Sequence, residues 1–155
     1  MENNHFVSTH EIRTRFSTAM SNMYGQEVPL YRDLLELVAD VNAQTLQDNP
    51  QLQTQLNESG EILRLNLERH GAIRLGTPAE LSGIRRVFAV MGLQPVGYYD
   101  LSVAGVPVHA TAFRPVDDAS LAANPFRVFT SLLVPDDRRF FDDDVRRRLE
   151  NFLGS

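Results

Sequence analysis

Apolar residues recur at helical spacing from Ile12 through Phe16, Ala19, Met20 and Met23, and Ser8-Thr9-His10-Glu11 ahead of them fits a capping box. The pattern predicts a first helix that Gly25 ends. A second helix is predicted from Pro29, with Leu30, Leu34, Leu37, Val38 and Val41 along one face. Residues Gln47 to Gly60 are polar and glutamine-rich around Pro50, which reads as a loop or a short exposed helix.

The period changes near Leu67. From Leu67 to Leu75 the chain alternates, with Leu67, Ile73 and Leu75 on one side and Glu68, His70, Ala72 and Arg74 on the other, as a strand with one buried face requires. Thr77-Pro78-Ala79-Glu80 then combines an N-cap, a proline at the first helical position and a glutamate at the third. The helix it opens runs through Leu81, Ile84, Val87, Phe88 and Met91 to Gly92. Three β-like runs follow, Pro95 to Leu101, Val106 to Arg114 and Phe126 to Leu133, with Ala104-Gly105 as a tight turn between the first two. Asp142 to Phe152 reads as a final helix. The expected fold is therefore α+β. A helical segment over 1–60 precedes a βαβββ unit with a terminal helix over 61–155. By analogy, such a unit is half of a vicinal-oxygen-chelate barrel, which pairs two of them around a metal; fold analogy alone says little about chemistry.

Composition narrows the function classes. The chain has 155 residues with 43% hydrophobic and 23% charged, ordinary for a folded domain. Cysteine is absent, which excludes disulfides, thiolate metal sites and cysteine nucleophiles. All fifteen basic residues are arginine, yet the net charge is −5, which argues against a nucleic-acid binder. Arg138, Arg139 and Arg146 to Arg148 are interleaved with Asp136, Asp137 and Asp142 to Asp144, as on a solvated face of internal ion pairs. No apolar run is long enough to span a membrane, and the start has no signal-peptide layout, so a cytoplasmic protein with no membrane partner is expected.

The chemistry-bearing segment is Glu68 to Gly76. The strand period places His70 and Arg74 on one face, roughly 13 Å apart at ~3.3 Å per residue, with small Ala72 between them. An imidazole and a guanidinium on an open face suit an anionic ligand, although a strand histidine is more often hydrogen-bonded structure than a metal ligand. His109 is a second candidate ligand, but Thr111 and Phe113 share its face and favour packing. Arg114 and Arg127 read as anion contacts or, more simply, ion-pair members; Tyr98, Tyr99 and Asp100, on an adjacent strand, line a pocket or pack. His5 and His10 read as solvent-exposed. There is no phosphate loop, nucleophile elbow or His-Glu-x-x-His motif.

Several blocks carry a family resemblance: Met23-Tyr24 with Glu27-Val28-Pro29, Leu67 to Thr77, Met91-Gly92 through Gly97-Tyr98-Tyr99-Asp100-Leu101, Val108 to Pro115, and Asn124 to Leu133. The chain resembles the 2-oxoadipate dioxygenase/decarboxylase (D-2-hydroxyglutarate synthase) family over nearly its whole length. The resemblance implies an iron(II) enzyme of lysine catabolism that converts 2-oxoadipate and dioxygen to (R)-2-hydroxyglutarate and carbon dioxide. It places the first metal histidine on His70 and the substrate-gripping arginine on Arg74. A second histidine and a glutamate complete the family's metal site; neither has a counterpart here, so they are expected from a further C-terminal region or a partner chain. The implied facial triad leaves three metal positions for a 2-oxo acid and dioxygen, and the substrate supplies its own reducing electrons. A non-catalytic module for a small acid and a glyoxalase-like metalloenzyme remain as alternatives.

Overall fold

A computed structural model of the chain describes residues 6–67 and 70–155. It is an α+β structure with six α-helices and one four-stranded mixed sheet among those residues. The chain divides into two units, one of Phe16–Glu68 and one joining Met1–Arg15 to Arg69–Ser155.

The first unit is helical, and its first helix begins within the residues of the second. Helix α1 spans Thr9–Glu27 and starts where Ser8 Oγ accepts the Glu11 N–H, as the capping signal predicts. It does not stop at Gly25. The break falls at Val28, whose extended backbone (φ −127°, ψ 95°) is what a following proline imposes. Pro29 then opens α2, Pro29–Asp48. Leu30, Leu34 and Leu37 share one face of α2 as expected, but they remain 74%, 53% and 60% exposed. The glutamine-rich stretch forms a short exposed helix, α3 (Pro50–Glu58), capped by Asn49 Oδ1 accepting from the Leu52 N–H. Within this unit Tyr24 and Tyr31 meet edge to face at 5.9 Å.

The second unit holds the sheet. Its elements run β1 (His70–Leu75), α4 (Pro78–Val90), β2 (Gln94–Asp100), β3 (Val108–Arg114), α5 (Asp118–Ala123), β4 (Arg127–Leu133) and α6 (Asp143–Leu153). The strand predicted from Leu67 begins at His70; Leu67 sits in a bend, and Glu68 and Arg69 lie outside the described residues. The capping box at Thr77 is complete: Thr77 Oγ1 accepts the Glu80 N–H while Glu80 accepts the Thr77 N–H. The β2–β3 link is a 3₁₀ turn, Leu101–Ala104, closed by Gly105 at φ 82°, rather than a two-residue hairpin. Helix α5, which the pattern does not announce, starts on Asp117 and fills the β3–β4 connection. Helix α6 starts on its Asp142 cap as expected. The arginines around it pair as the charge pattern predicts, Arg139 with Asp137, Arg146 with Asp136 and Glu150, Arg147 with Asp144.

The sheet order is β1-β4-β3-β2, with β1 and β4 parallel and the remaining pairs antiparallel. The β1-α4-β2 crossover thus carries the chain from one edge to the other, and β3 and β4 fold back to fill the middle. Leu75, Phe113, Val128 and Thr130 point to one side and are buried. Helix α4 covers that side, with the Phe88 ring against Phe113 at 5.0 Å and 71°. Full burial of one such ring is worth about 2–3 kcal/mol.

Arg13, in the first turns of α1, is fully buried and ties this unit together. Its Nη1 donates to Met91 O (2.7 Å), Nε to Asn124 O (3.0 Å) and Nη2 to Ser120 O (2.9 Å). These carbonyls belong to the end of α4, to α5 and to the approach to β4. Burial lowers the Arg13 pKa, and the Asp117 carboxylate opposes that shift. Gly92, at the end of α4, is required beside it: its φ is +69°, and a Cβ there would lie 2.8 Å from Thr9 Cγ2.

Arg13→Met keeps the aliphatic stem but leaves three carbonyls without their donor, two of them buried. It should cost about 2–4 kcal/mol. Urea denaturation should show a lower midpoint with an unchanged slope; an unaltered midpoint would contradict the clamp.

Candidate active-site face

Side chains of paired strands alternate between the two faces of a sheet, so covering one face with α4 fixes what appears on the other. On β1 the exposed side carries His70, Ala72 and Arg74, while Gly71 and Leu75 are buried. The register extends this side across the sheet in three rows. His70 lies beside Arg127, and Gln94 beside Arg114. Ala72, Phe129, Ala112 and Gly97 form the next row. Arg74, Ser131, Ala110 and Tyr99 form the third. Small residues dominate the middle row and leave a depression between two polar ones.

A cavity of about 250 Å³ opens on this face, lined by Tyr99, Ala112, Arg114, Arg127 and Phe129 among others. Tyr99 leans back over Gly97, where a Cβ would stand 2.8 Å from its Oη. Gly97 therefore lets the tyrosine lie along the sheet and wall the cavity. Arg114 Nη1 donates to Pro115 O at 3.0 Å. Among the described residues no carboxylate is paired with Arg74, Arg114 or Arg127. Among the described residues, then, Arg114 and Arg127 are not members of an ion pair.

His109 lies on the other face. Its neighbour on β4 is Leu132, which in turn pairs with the buried Leu75, so the strand period separates it from His70. There it shares a hydrogen bond through Nδ1 with Tyr98 Oη, its ring edge-on to the tyrosine at 5.3 Å. Its Nε2 stands 3.6 Å from Asp100 Oδ1. Candidate ligand His109 is therefore not brought to His70. The three residues Tyr98, Tyr99 and Asp100 also divide, Tyr99 to the cavity and the other two to this reverse cluster. Their strand is not adjacent to β1 but lies at the opposite edge, with two strands between. His10 is half-buried, with Nδ1 3.1 Å from Arg13 Nη2, rather than solvent-exposed; His5 lies outside the described residues.

No group of three histidine or carboxylate side chains able to hold a metal forms among the described residues. His70, exposed on the open face, is chemically suited to be one ligand of such a site. The sequence profile of the 2-oxoadipate dioxygenase/decarboxylase family matches residues 16–155. The chain belongs to this family. It is 66% identical over 127 residues to the 2-oxoadipate dioxygenase/decarboxylase of Escherichia coli K12, covering 82% of this chain and 28% of that protein. The Pseudomonas putida family member is 62% identical over 133 residues, covering 86% and 29% respectively. The crystal structure of the P. putida hydroxyglutarate synthase in complex with 2-oxoadipate superposes with a TM-score of 0.89 and 56% identity, over 97% of this chain and 33% of that one. The chain thus spans about a third of the length of the family members it matches.

The reverse cluster makes a pH prediction. Hydrogen bonds from Ser102, side chain and backbone, hold the Asp100 carboxyl below its ordinary range, with His109 and Arg139 adding smaller attractions. A depressed carboxyl stabilises the fold above its unfolded pKa and loses that contribution as pH falls towards its folded value. Asp100→Asn should lower the urea midpoint at neutral pH, and the difference should fade as both proteins are taken into acid. A difference that grows in acid would contradict this assignment.

Proposed function

We propose that this chain carries one wall of the active site of a non-haem iron(II) dioxygenase/decarboxylase that converts 2-oxoadipate and dioxygen to (R)-2-hydroxyglutarate and carbon dioxide, in lysine catabolism. The observation that carries the reading is the joint exposure of His70 and Arg74 on the uncovered sheet face, either side of Ala72. The naming of the E. coli and P. putida relatives and the 2-oxoadipate complex of the latter support it. The uncovered face, the strand order and the parallel β1–β4 pair also suit half of a vicinal-oxygen-chelate barrel. Its second half, a second histidine and a glutamate would come from the length that the relatives have beyond this chain, or from a partner chain.

His70 would supply one of about three protein ligands that a ferrous site with open positions requires. Bound iron would supply the Lewis acidity and dioxygen chemistry of the reaction. Arg74 would meet the distal carboxylate of the substrate with two parallel hydrogen bonds, fixing the carbon chain along the small middle row. Phe129 and Tyr99 would limit water at that row. No described helix is long and apolar enough to cross a membrane, which fits a cytoplasmic enzyme.

Oxygen uptake with 2-oxoadipate and iron(II) tests the reading on the longest natural form of the protein. Uptake matched by carbon dioxide release is expected. Binding without turnover would instead support a module that holds a small acid, a reading favoured by His70 being the single candidate metal ligand on this face among the described residues. In the complete enzyme, Arg74→Ala should lower kcat/KM for 2-oxoadipate at least tenfold, while monocarboxylic 2-oxo acids and the melting temperature change little. An unchanged substrate preference would remove Arg74 from the site.

A further inference from the structure

Arg127 and Arg114 form a feature that neither the fold nor the proposed roles of His70 and Arg74 require. The β3–β4 register pairs Phe113 with Val128, and continuing it by one residue sets Arg114 across from Arg127. Arg127 is itself the register partner of His70. Two like charges at neighbouring cross-strand positions repel and destabilise a sheet unless something neutralises them. No described carboxylate does so, and both guanidinia line the same cavity with the Tyr99 ring and the Phe129 ring. The adjoining Gln94 side chain adds a neutral donor at the end of the row. The middle row is small apart from Phe129, and Arg74 stands on its far side, on the same face but outside the residues that line the cavity.

We infer that Arg127 and Arg114 form a second anion subsite, on the His70 side of the depression, so that a dicarboxylate is held at both ends, by this arginine pair and by Arg74. The inference rests on the reading that the open face is the substrate face, and it adds to it. One guanidinium would select an acid; two poles separated by a row of small residues select a diacid of matching length. The pair would also offset the charge of the carboxylate nearest His70 independently of any metal. Arg127 and Arg114 are in this sense specificity-determining residues, and the planar fork of arginine suits them to it.

Adipate is a suitable probe because it has both carboxylates but no keto oxygen, so it does not chelate a metal. Metal-free 155-residue chain is titrated with adipate and with hexanoate at low ionic strength, with binding followed by calorimetry or by amide chemical shifts. Adipate should bind saturably and more tightly than hexanoate, and more weakly as salt is raised. Arg127→Gln and Arg114→Gln should each weaken adipate binding at least about fivefold, bringing it towards the hexanoate value. Arg127→Lys should recover part of the loss. Circular dichroism checks that the variants remain folded, as exposed or half-exposed positions allow. Arg85→Gln, on α4, removes the same charge elsewhere and should leave binding unchanged. Adipate affinity that survives Arg127→Gln, an equal loss in Arg85→Gln, or no saturable binding by the unaltered chain would overturn the inference. Oxygen uptake by the complete enzyme is a separate readout, so failure of the subsite and failure of the iron-dependent reaction are distinguishable.

Discussion

The alternation of side chains across four paired strands decides where every polar side chain of the sheet can go. Helix α4 needs an apolar platform, and Leu75, Phe113, Val128 and Thr130 supply it. Once those residues are committed, a register fixed at every strand pair sends His70, Arg74, Arg127, Arg114 and Tyr99 to the opposite side. A slip of one residue in β1 would bury His70 and expose Leu75. The same constraint separates His109 from His70, because it lies on the α4 side of the sheet. The chemistry of the open face is therefore a consequence of how the closed face packs.

The buried Arg13 clamp connects this packing to the site. Asn124, whose carbonyl receives the Arg13 Nε–H, also donates through Nδ2 to Thr14 and accepts the Phe126 N–H on Oδ1. Phe126 is fully buried, and Arg127 follows it at the start of β4. The first turns of α1 thereby set the entry of β4 into the sheet, and with it the placement of Arg127 beside His70. A buried charge outside the cavity lining thus serves to position one that lines it.

Much of this was readable from residue patterns because the signals are local. Thr77-Pro78-Ala79-Glu80 makes the cap it predicts, and the switch from helical to alternating spacing marks the sheet to within three residues. The pairing of His70 with Arg74 on one face follows from the strand period alone. What was missed is of two kinds, local signals weighed wrongly, as at Val28 and over Tyr98 to Asp100, and neighbours that only the fold brings together. Val28 rather than Gly25 breaks the first helix, because proline constrains its predecessor whereas an α-helix tolerates a glycine. Arg13 looks like any exposed helical arginine until the carbonyls of Met91, Ser120 and Asn124 converge on it. Arg127 and Arg114 are thirteen residues apart in the chain and become neighbours only through the β3–β4 register, so no spacing rule joins them. Tyr98 and Asp100 look equivalent to Tyr99 until the strand period separates them.

Everything proposed for the site requires that the ligand meet the face turned away from α4. The chain contains no cysteine, so a thiol placed on either side reports without background. Ala72→Cys lies on the open side between His70 and Arg74, and Thr111→Cys on the side of Phe113 and His109. The rate of thiol modification at each position, measured with and without saturating 2-oxoadipate, compares the two faces directly. 2-Oxoadipate should slow modification at position 72 and leave the rate at position 111 unchanged. Protection at position 111 with none at position 72 would place the ligand on the other face and contradict it.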